Sequence, residues 1–182
     1  MNLANKITLA RIFLVPIFLL ILSIKMQYGQ YLAAAVFILA ASTDGLDGYF
    51  ARKRKEVTRL GKFMDPLADK LLISAALISL VELRQISAWV AFVIIGRELA
   101  VTGLRSIAAA DGVVISASKL GKVKTVSQIV AIVLLFIHDF PFNLWHIQIG
   151  KFAMGVAVFF TIWSGLDYFR RARHLLKAGP AQ

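Results

Sequence analysis

The chain contains no cysteine. Disulfides, zinc–thiolate centres and thiol nucleophiles are therefore excluded. Histidine is reduced to three residues. Charge is scarce: 17% of the 182 residues are Asp, Glu, Lys or Arg, against about a quarter in soluble domains. Tandem repeats, low-complexity segments and linkers are also missing. What remains is 59% apolar, which rules out intrinsic disorder. The length suits one domain, residues 1–182. Ten acidic residues face 21 basic ones, a net charge of +11. A basic soluble protein would suggest nucleic acid. In a chain this apolar, no nucleic acid is expected, and the partners are anionic lipid and an anionic substrate.

A membrane-crossing helix needs about 20 mostly apolar residues to span roughly 30 Å of hydrocarbon. Six stretches qualify, near 7–24, 31–49, 63–81, 87–108, 126–137 and 149–168, the fifth being the shortest and beginning as early as Lys122. The expected fold is an all-α integral membrane protein, six transmembrane helices in one up-down bundle. The first stretch is read as a retained span, because no small-residue cleavage site follows it.

Lysine and arginine set the orientation. One side collects Lys6, Arg11, Arg52 to Lys55, Arg59, Lys62, Arg105, Lys119, Lys122, Lys124 and the tail from Arg170 to Lys177. The other has only Lys25, Arg84 and Lys151. Both termini and the loops after the second and fourth spans are therefore expected in the cytosol. Topology alone accounts for Lys53 to Lys55 and Arg170 to Arg173.

Charge inside a membrane helix costs about 2.5–3.5 kcal/mol on insertion scales. Nevertheless Asp44, Asp47, Asp65 and Asp69 fall in the second and third spans. Asp44 and Asp47 are spaced i, i+3, and Asp65 and Asp69 i, i+4, so each pair shares a helix face. Gly48, Ala51 and Arg52 continue the first stripe, and Gly61 the second. A short basic loop joins the two spans, so the stripes can face each other as antiparallel neighbours. Four facing carboxylates cannot all ionise without a cation between them. Lys70 points about 100° away from Asp69 on a helical wheel and is a poor neutraliser. Oxygen ligands without a nearby histidine suit Mg²⁺ or Mn²⁺, and four carboxylates suffice for two bridged ions that clamp a phosphate. Gly48, Ala51 and Gly61 clear space for a bulky ligand, or serve close helix packing. A cation or proton pathway is the rival reading, weakened because the carboxylates cluster at one end of the spans.

The pattern Asp44-x-x-Asp47-Gly48-x-x-Ala51-Arg52, eight residues, Gly61-x-x-x-Asp65-x-x-x-Asp69 resembles the signature of the CDP-alcohol phosphatidyltransferases at every fixed position. The stretches Asn5 to Arg11, Gly96-Arg97-Glu98 through Leu104-Arg105, and Gly121 to Thr125 extend the resemblance, over nearly the whole chain, to the bacterial branch that makes phosphatidylglycerophosphate. Ala4 departs from it, where that branch commonly has proline.

The resemblance implies a homodimer of six-helix membrane subunits in the bacterial cytoplasmic membrane, with two Mg²⁺ or Mn²⁺ ions and a cytosol-facing site. It also implies the reaction: CDP-diacylglycerol donates its phosphatidyl group to sn-glycerol 3-phosphate, and CMP leaves. Asp44, Asp47, Asp65 and Asp69 are then the metal ligands and Asp69 the general base. Gly48, Ala51 and Gly61 shape the cytidine pocket. Arg52 holds a phosphate or snorkels to lipid headgroups. Asn5 and Thr8 touch the nucleotide, although Asn5 equally suits a helix N-cap. An acceptor phosphate needs cations, and Arg97 and Arg105 share one face of the fourth span at i, i+8. Arg105 is the better placed, near the cytosolic end; Arg97 alternatively pairs with Glu98. Lys122 and Lys124 complete the pocket or follow the positive-inside rule. Other acceptors (phosphatidylglycerol, inositol phosphate or serine) remain open at this point.

Overall fold

The computed structural model describes residues 3–24, 26–54, 59–110, 119–138 and 148–177, with side chains for all of these except 3–4, 44–54, 59–60, 62–63, 110, 119 and 171–177. The described residues form six α-helices and no strand: α1 (Leu3–Ser23), α2 (Gly29–Arg54), α3 (Arg59–Glu82), α4 (Ala88–Ala110), α5 (Lys119–Phe136) and α6 (Ile149–Lys177). Each helix matches one of the six apolar stretches, in order, although those at 7–24, 87–108 and 126–137 each extend one residue beyond their helix. The helices outrun the stretches where polar residues continue the coil. Thus α5 starts at Lys119, ahead of the apolar run at Val126, and α2 carries on past Tyr49 to Arg54. Gly48, Ala51 and Arg52 are consequently helical, as are Gly61, Asp65 and Asp69 on α3.

The ends of the helices are tied by local chemistry. At the end of α3, Arg84 adopts φ 57°. The Gln85 amide donates to the Leu80 carbonyl and the Arg84 amide to the Val81 carbonyl. This is a Schellman closure, which satisfies carbonyls that the last turn leaves unpaired. It also presents Gln85, whose Nε2 donates to Oε1 of Gln30 at 3.1 Å, joining the α3–α4 turn to the start of α2. At the other end, Arg11 of α1 reaches Thr43 of α2. The beginning of α1, the end of α2 and the beginning of α3 therefore share one end of the bundle.

Helix α1 packs broadly against both α2 and α3, which touch each other less; α5 packs most extensively on α6, and α4 bridges α3 and α6. The core is apolar in the half away from the basic end. Phe18 lies edge-on to Phe136 with ring centroids 5.5 Å apart, and 6.2 Å from Phe37. Leu72, Leu77, Leu80, Ile94 and Ile132 fill in around them, all fully buried.

Burial is inverted elsewhere. Asn5, Thr8, Arg11, Lys124, Gln128, Thr161 and Ser164 are buried, whereas Phe13, Leu20, Trp89, Phe92, Phe152, Phe159, Trp163 and Leu166 are all more than half exposed. A soluble monomer rarely exposes so many large apolar side chains while burying so many polar ones. By length and hydropathy, Asn5–Ser23 and Ile149–Arg170 are each able to cross a membrane, and Gly29–Thr43 is a shorter apolar helical stretch. The remaining helices fall short among the described residues. In α3 and α4 the interruption is the charge of Asp65, Asp69, Lys70, Arg97, Glu98 and Arg105.

Candidate active site

The acidic stripe of α3 is built from its second and third turns. Asp65 and Asp69 are one turn apart on the same face, both half-buried. Asp65 Oδ1 accepts a 2.6 Å hydrogen bond from the hydroxyl of Thr8, which is fully buried. That contact places α1 against the acidic stripe, so the expected direct meeting of α2 with α3 is shared with a third helix. Asn5, one turn earlier on α1, is buried beside it, and Gly61 is buried at the start of the stripe.

Asp44, Asp47, Gly48, Ala51 and Arg52 lie on the closing turns of α2; their side chains lie outside the described residues. The anchor of that segment is described. Arg11 Nε donates to Thr43 Oγ1 at 3.1 Å, and Thr43 Oγ1 donates to the Ala40 carbonyl at 2.6 Å. Arg11, which the positive-inside count treats as a surface charge, is wholly buried. Through the Thr43 hydroxyl it ties α1 to α2 at the residue immediately before Asp44. Among the described residues no three metal-ligating side chains converge. The donors that are described, Asp65 and Asp69, are carboxylate oxygens of the kind hard divalent ions select.

The basic half of the site comes from α4, α5 and α6. Glu98 Oε1 accepts from Arg97 Nη1 at 3.0 Å and forms an ion pair with Lys124 Nζ. Arg97 Nη2 donates to Ser164 Oγ at 2.9 Å, and its guanidinium carbon stands 5.6 Å from the centre of the Tyr168 ring. The Arg97 and Lys124 side chains are 11% and 5% exposed. Arg105 and Lys122, by contrast, are exposed. Lys70 Nζ donates to the Pro66 carbonyl at 3.1 Å.

These elements enclose a cavity of about 520 Å³ lined by Pro66, Asp69, Lys70, Arg97, Glu98, Val101, Thr102, Arg105, Gly121, Lys122, Lys124, Thr125, Val126 and Tyr168. Asp69 and the four basic residues Arg97, Arg105, Lys122 and Lys124 thus line one chamber, although they come from three helices. The alternative pairing of Arg97 with Glu98 is observed. The contact of Glu98 with Lys124 has no signal in the sequence. Ser164 and Tyr168 have none either, because nothing in a serine or tyrosine of α6 shows that it faces α4.

A chamber lined by two carboxylates, Asp69 and Glu98, and by five cations suits the joining of two anions by charge-stabilised transfer. The comparisons agree. A family model described as CDP-alcohol phosphatidyltransferase matches residues 1–163. The chain is 50% identical over 188 residues to the CDP-diacylglycerol–glycerol-3-phosphate 3-phosphatidyltransferase of Bacillus subtilis, covering 97% of each. It is 38% identical to the protein of that name from Pseudomonas fluorescens, over 97% of this chain and 93% of the relative. For the Rickettsia felis protein of that name, the identity is 37%, over 94% and 96%. The match spans both the carboxylate helices and the cationic wall, and the chain belongs to the CDP-alcohol phosphatidyltransferase family, enzymes generally dependent on divalent metal.

Proposed function

We propose that the protein transfers the phosphatidyl group of CDP-diacylglycerol to sn-glycerol 3-phosphate, giving phosphatidylglycerophosphate and CMP. The observation that supports this reading is the chamber whose lining includes Asp69 together with Arg105 and Lys122. The names of the relatives support the two substrates.

The exposed apolar belt and buried polar interior support a six-helix membrane bundle. The lysine and arginine bias supports a bacterial cytoplasmic membrane location with the site and both termini in the cytosol. A homodimer is the assembly that the family resemblance implies. The donor keeps its acyl chains in the bilayer while its head enters at the carboxylate stripe; the acceptor arrives from water.

Asn5, Thr8, Gly48, Ala51, Arg52 and Gly61 form the donor side. Thr8 orients Asp65 by its hydrogen bond. Asp44, Asp47, Asp65 and Asp69 would hold two Mg²⁺ or Mn²⁺ ions, which would supply neutralisation of the diphosphate and stabilisation of the leaving phosphate. Asp69 takes the proton of the acceptor 1-hydroxyl as that oxygen attacks the phosphorus bearing diacylglycerol. The new oxygen–phosphorus bond forms, and the bond to CMP breaks. Arg105 and Lys122, exposed at the rim, receive the acceptor phosphate. Arg97 and Lys124 back them, with their charges already engaged by Glu98.

The test is CMP release from CDP-diacylglycerol by purified protein in detergent–lipid micelles with Mg²⁺ or Mn²⁺. Glycerol 3-phosphate is compared with phosphatidylglycerol, serine, inositol and inositol phosphate. Metal-dependent release with glycerol 3-phosphate alone is expected. Release with another alcohol only would overturn the acceptor.

A further inference from the structure

Glycerol 3-phosphate has two ends, and only one orientation is productive: the 1-hydroxyl must reach Asp69, with the phosphate held away from it. The cations of the chamber do not all favour that orientation. Asp69, Lys70, Glu98 and Lys124 line a narrow cleft at the inner end of the site, to which Arg97, Arg105 and Lys122 do not contribute. Arg97 lines the larger chamber with Asp69 and lies two turns, about 12 Å, along α4 from Arg105. A phosphate drawn to Lys124 and Arg97 would therefore crowd Asp69, where the hydroxyl must sit.

One residue stands against this. Oε1 of Glu98 serves both inner cations, accepting from Arg97 Nη1 and pairing with Lys124 Nζ. The Ser164 hydroxyl donates to the Phe160 carbonyl at 2.6 Å, which leaves its oxygen free to accept from Arg97 Nη2. Arg97 Nη1 and Nη2 and Lys124 Nζ thus have protein partners, and both side chains are largely buried. Glu98 cuts the combined charge of these two from two to one, whereas no ion pair of Arg105 or Lys122 is found among the described residues.

We propose that Glu98 orients the acceptor: by occupying Arg97 and Lys124 it denies the phosphate an inner site, leaves it to Arg105 and Lys122, and so points the hydroxyl at Asp69. Glu98 is a positioning residue that touches neither reacting atom. This rests on the acceptor reading above.

The test measures competitive inhibition of CMP release by inorganic phosphate, together with kcat and KM for glycerol 3-phosphate. Glu98→Gln raises the inner charge from one to two. Phosphate is expected to inhibit about tenfold more strongly, the scale of one charge-assisted contact. Non-productive binding lowers kcat and KM for glycerol 3-phosphate together, while KM for CDP-diacylglycerol holds. An unpaired buried lysine can unfold a protein, so the same step is taken a second time without it. Lys124→Met has an inner charge of zero, and Glu98→Gln/Lys124→Met has one. The double variant is expected to be about tenfold more sensitive to phosphate than Lys124→Met alone. Unchanged phosphate inhibition across that pair would overturn the proposal, as would an equal rise of KM for both substrates. Native protein that releases no CMP with glycerol 3-phosphate would instead remove the acceptor reading, and this inference with it.

Discussion

The contact between Thr8 and Asp65 allows the metal assignment to be tested through a residue that is not itself a ligand. Thr8→Val keeps the side-chain volume and removes only the hydroxyl. The hydrogen bond lost is short, 2.6 Å, and its acceptor is a carboxylate. Such bonds are worth about 1.5–3 kcal/mol, a factor of roughly ten to a hundred and fifty. Because Thr8 is fully buried and Asp65 half-buried, part of that loss is recovered by solvent reaching Asp65, so the lower half of the range is expected. Removal of a group that orients a metal ligand weakens metal affinity by about 10–100-fold. The assay is CMP release titrated with Mg²⁺ and with Mn²⁺. Thr8→Val should need at least about tenfold more of either ion for half-maximal rate. Thr8→Ser, which restores the hydroxyl, should return close to the native titration. A native metal titration in a folded Thr8→Val protein would refute the reasoning, since the hydrogen bond would then orient nothing that binds metal.

Three further perturbations follow from the described contacts. Asp69→Asn removes the proposed base and is expected to abolish turnover while CDP-diacylglycerol still binds; full activity would remove the base assignment. A Cβ at Gly165 would stand 3.2 Å from Arg97 Cγ and 3.7 Å from its Nε. Gly165→Ala should therefore shift Arg97 by a few tenths of an ångström and change the acceptor KM but not that of CDP-diacylglycerol; identical kinetic constants would argue against a role for Arg97 placement. Arg105 and Lys122 are exposed and Lys124 is not, so salt should act through the rim. Raising ionic strength from about 0.1 to 1 M shortens the screening length from about 10 to 3 Å. The acceptor KM should rise with added KCl, and less steeply in Arg105→Ala.

The polar side chains of the interior divide by how their partners are specified. Asp65 and Asp69 were legible because their chemistry is costly in an apolar helix and their spacing is fixed by the helix repeat itself. The relation of Arg97 to Arg105 was legible for the same reason, being internal to α4. The burial of Arg11 and Lys124 was not. Arg11 looked like a member of a basic membrane margin, and Lys124 suited either that margin or an anion pocket, yet both are buried against other helices. Burial depends on which faces of separate helices meet, and no spacing along one helix encodes that. The pairing of Glu98 with Arg97, its neighbour in the chain, was legible; its contact with Lys124, 26 residues away, was not.

Six helices, their order, the one-turn spacing of Asp65 and Asp69, and a family resemblance that the comparisons bear out were all written in the chain. Apolar periodicity and helix geometry are local quantities, repeated every few residues, and they survive whatever the chain does elsewhere. That Thr8 of α1 holds Asp65, that Arg11 reaches Thr43, and that Glu98 restrains two cations from two helices came only from the packing of the helices. Those contacts arise where helices distant in sequence bury polar groups against one another, each finding the partner that offsets its lost hydration.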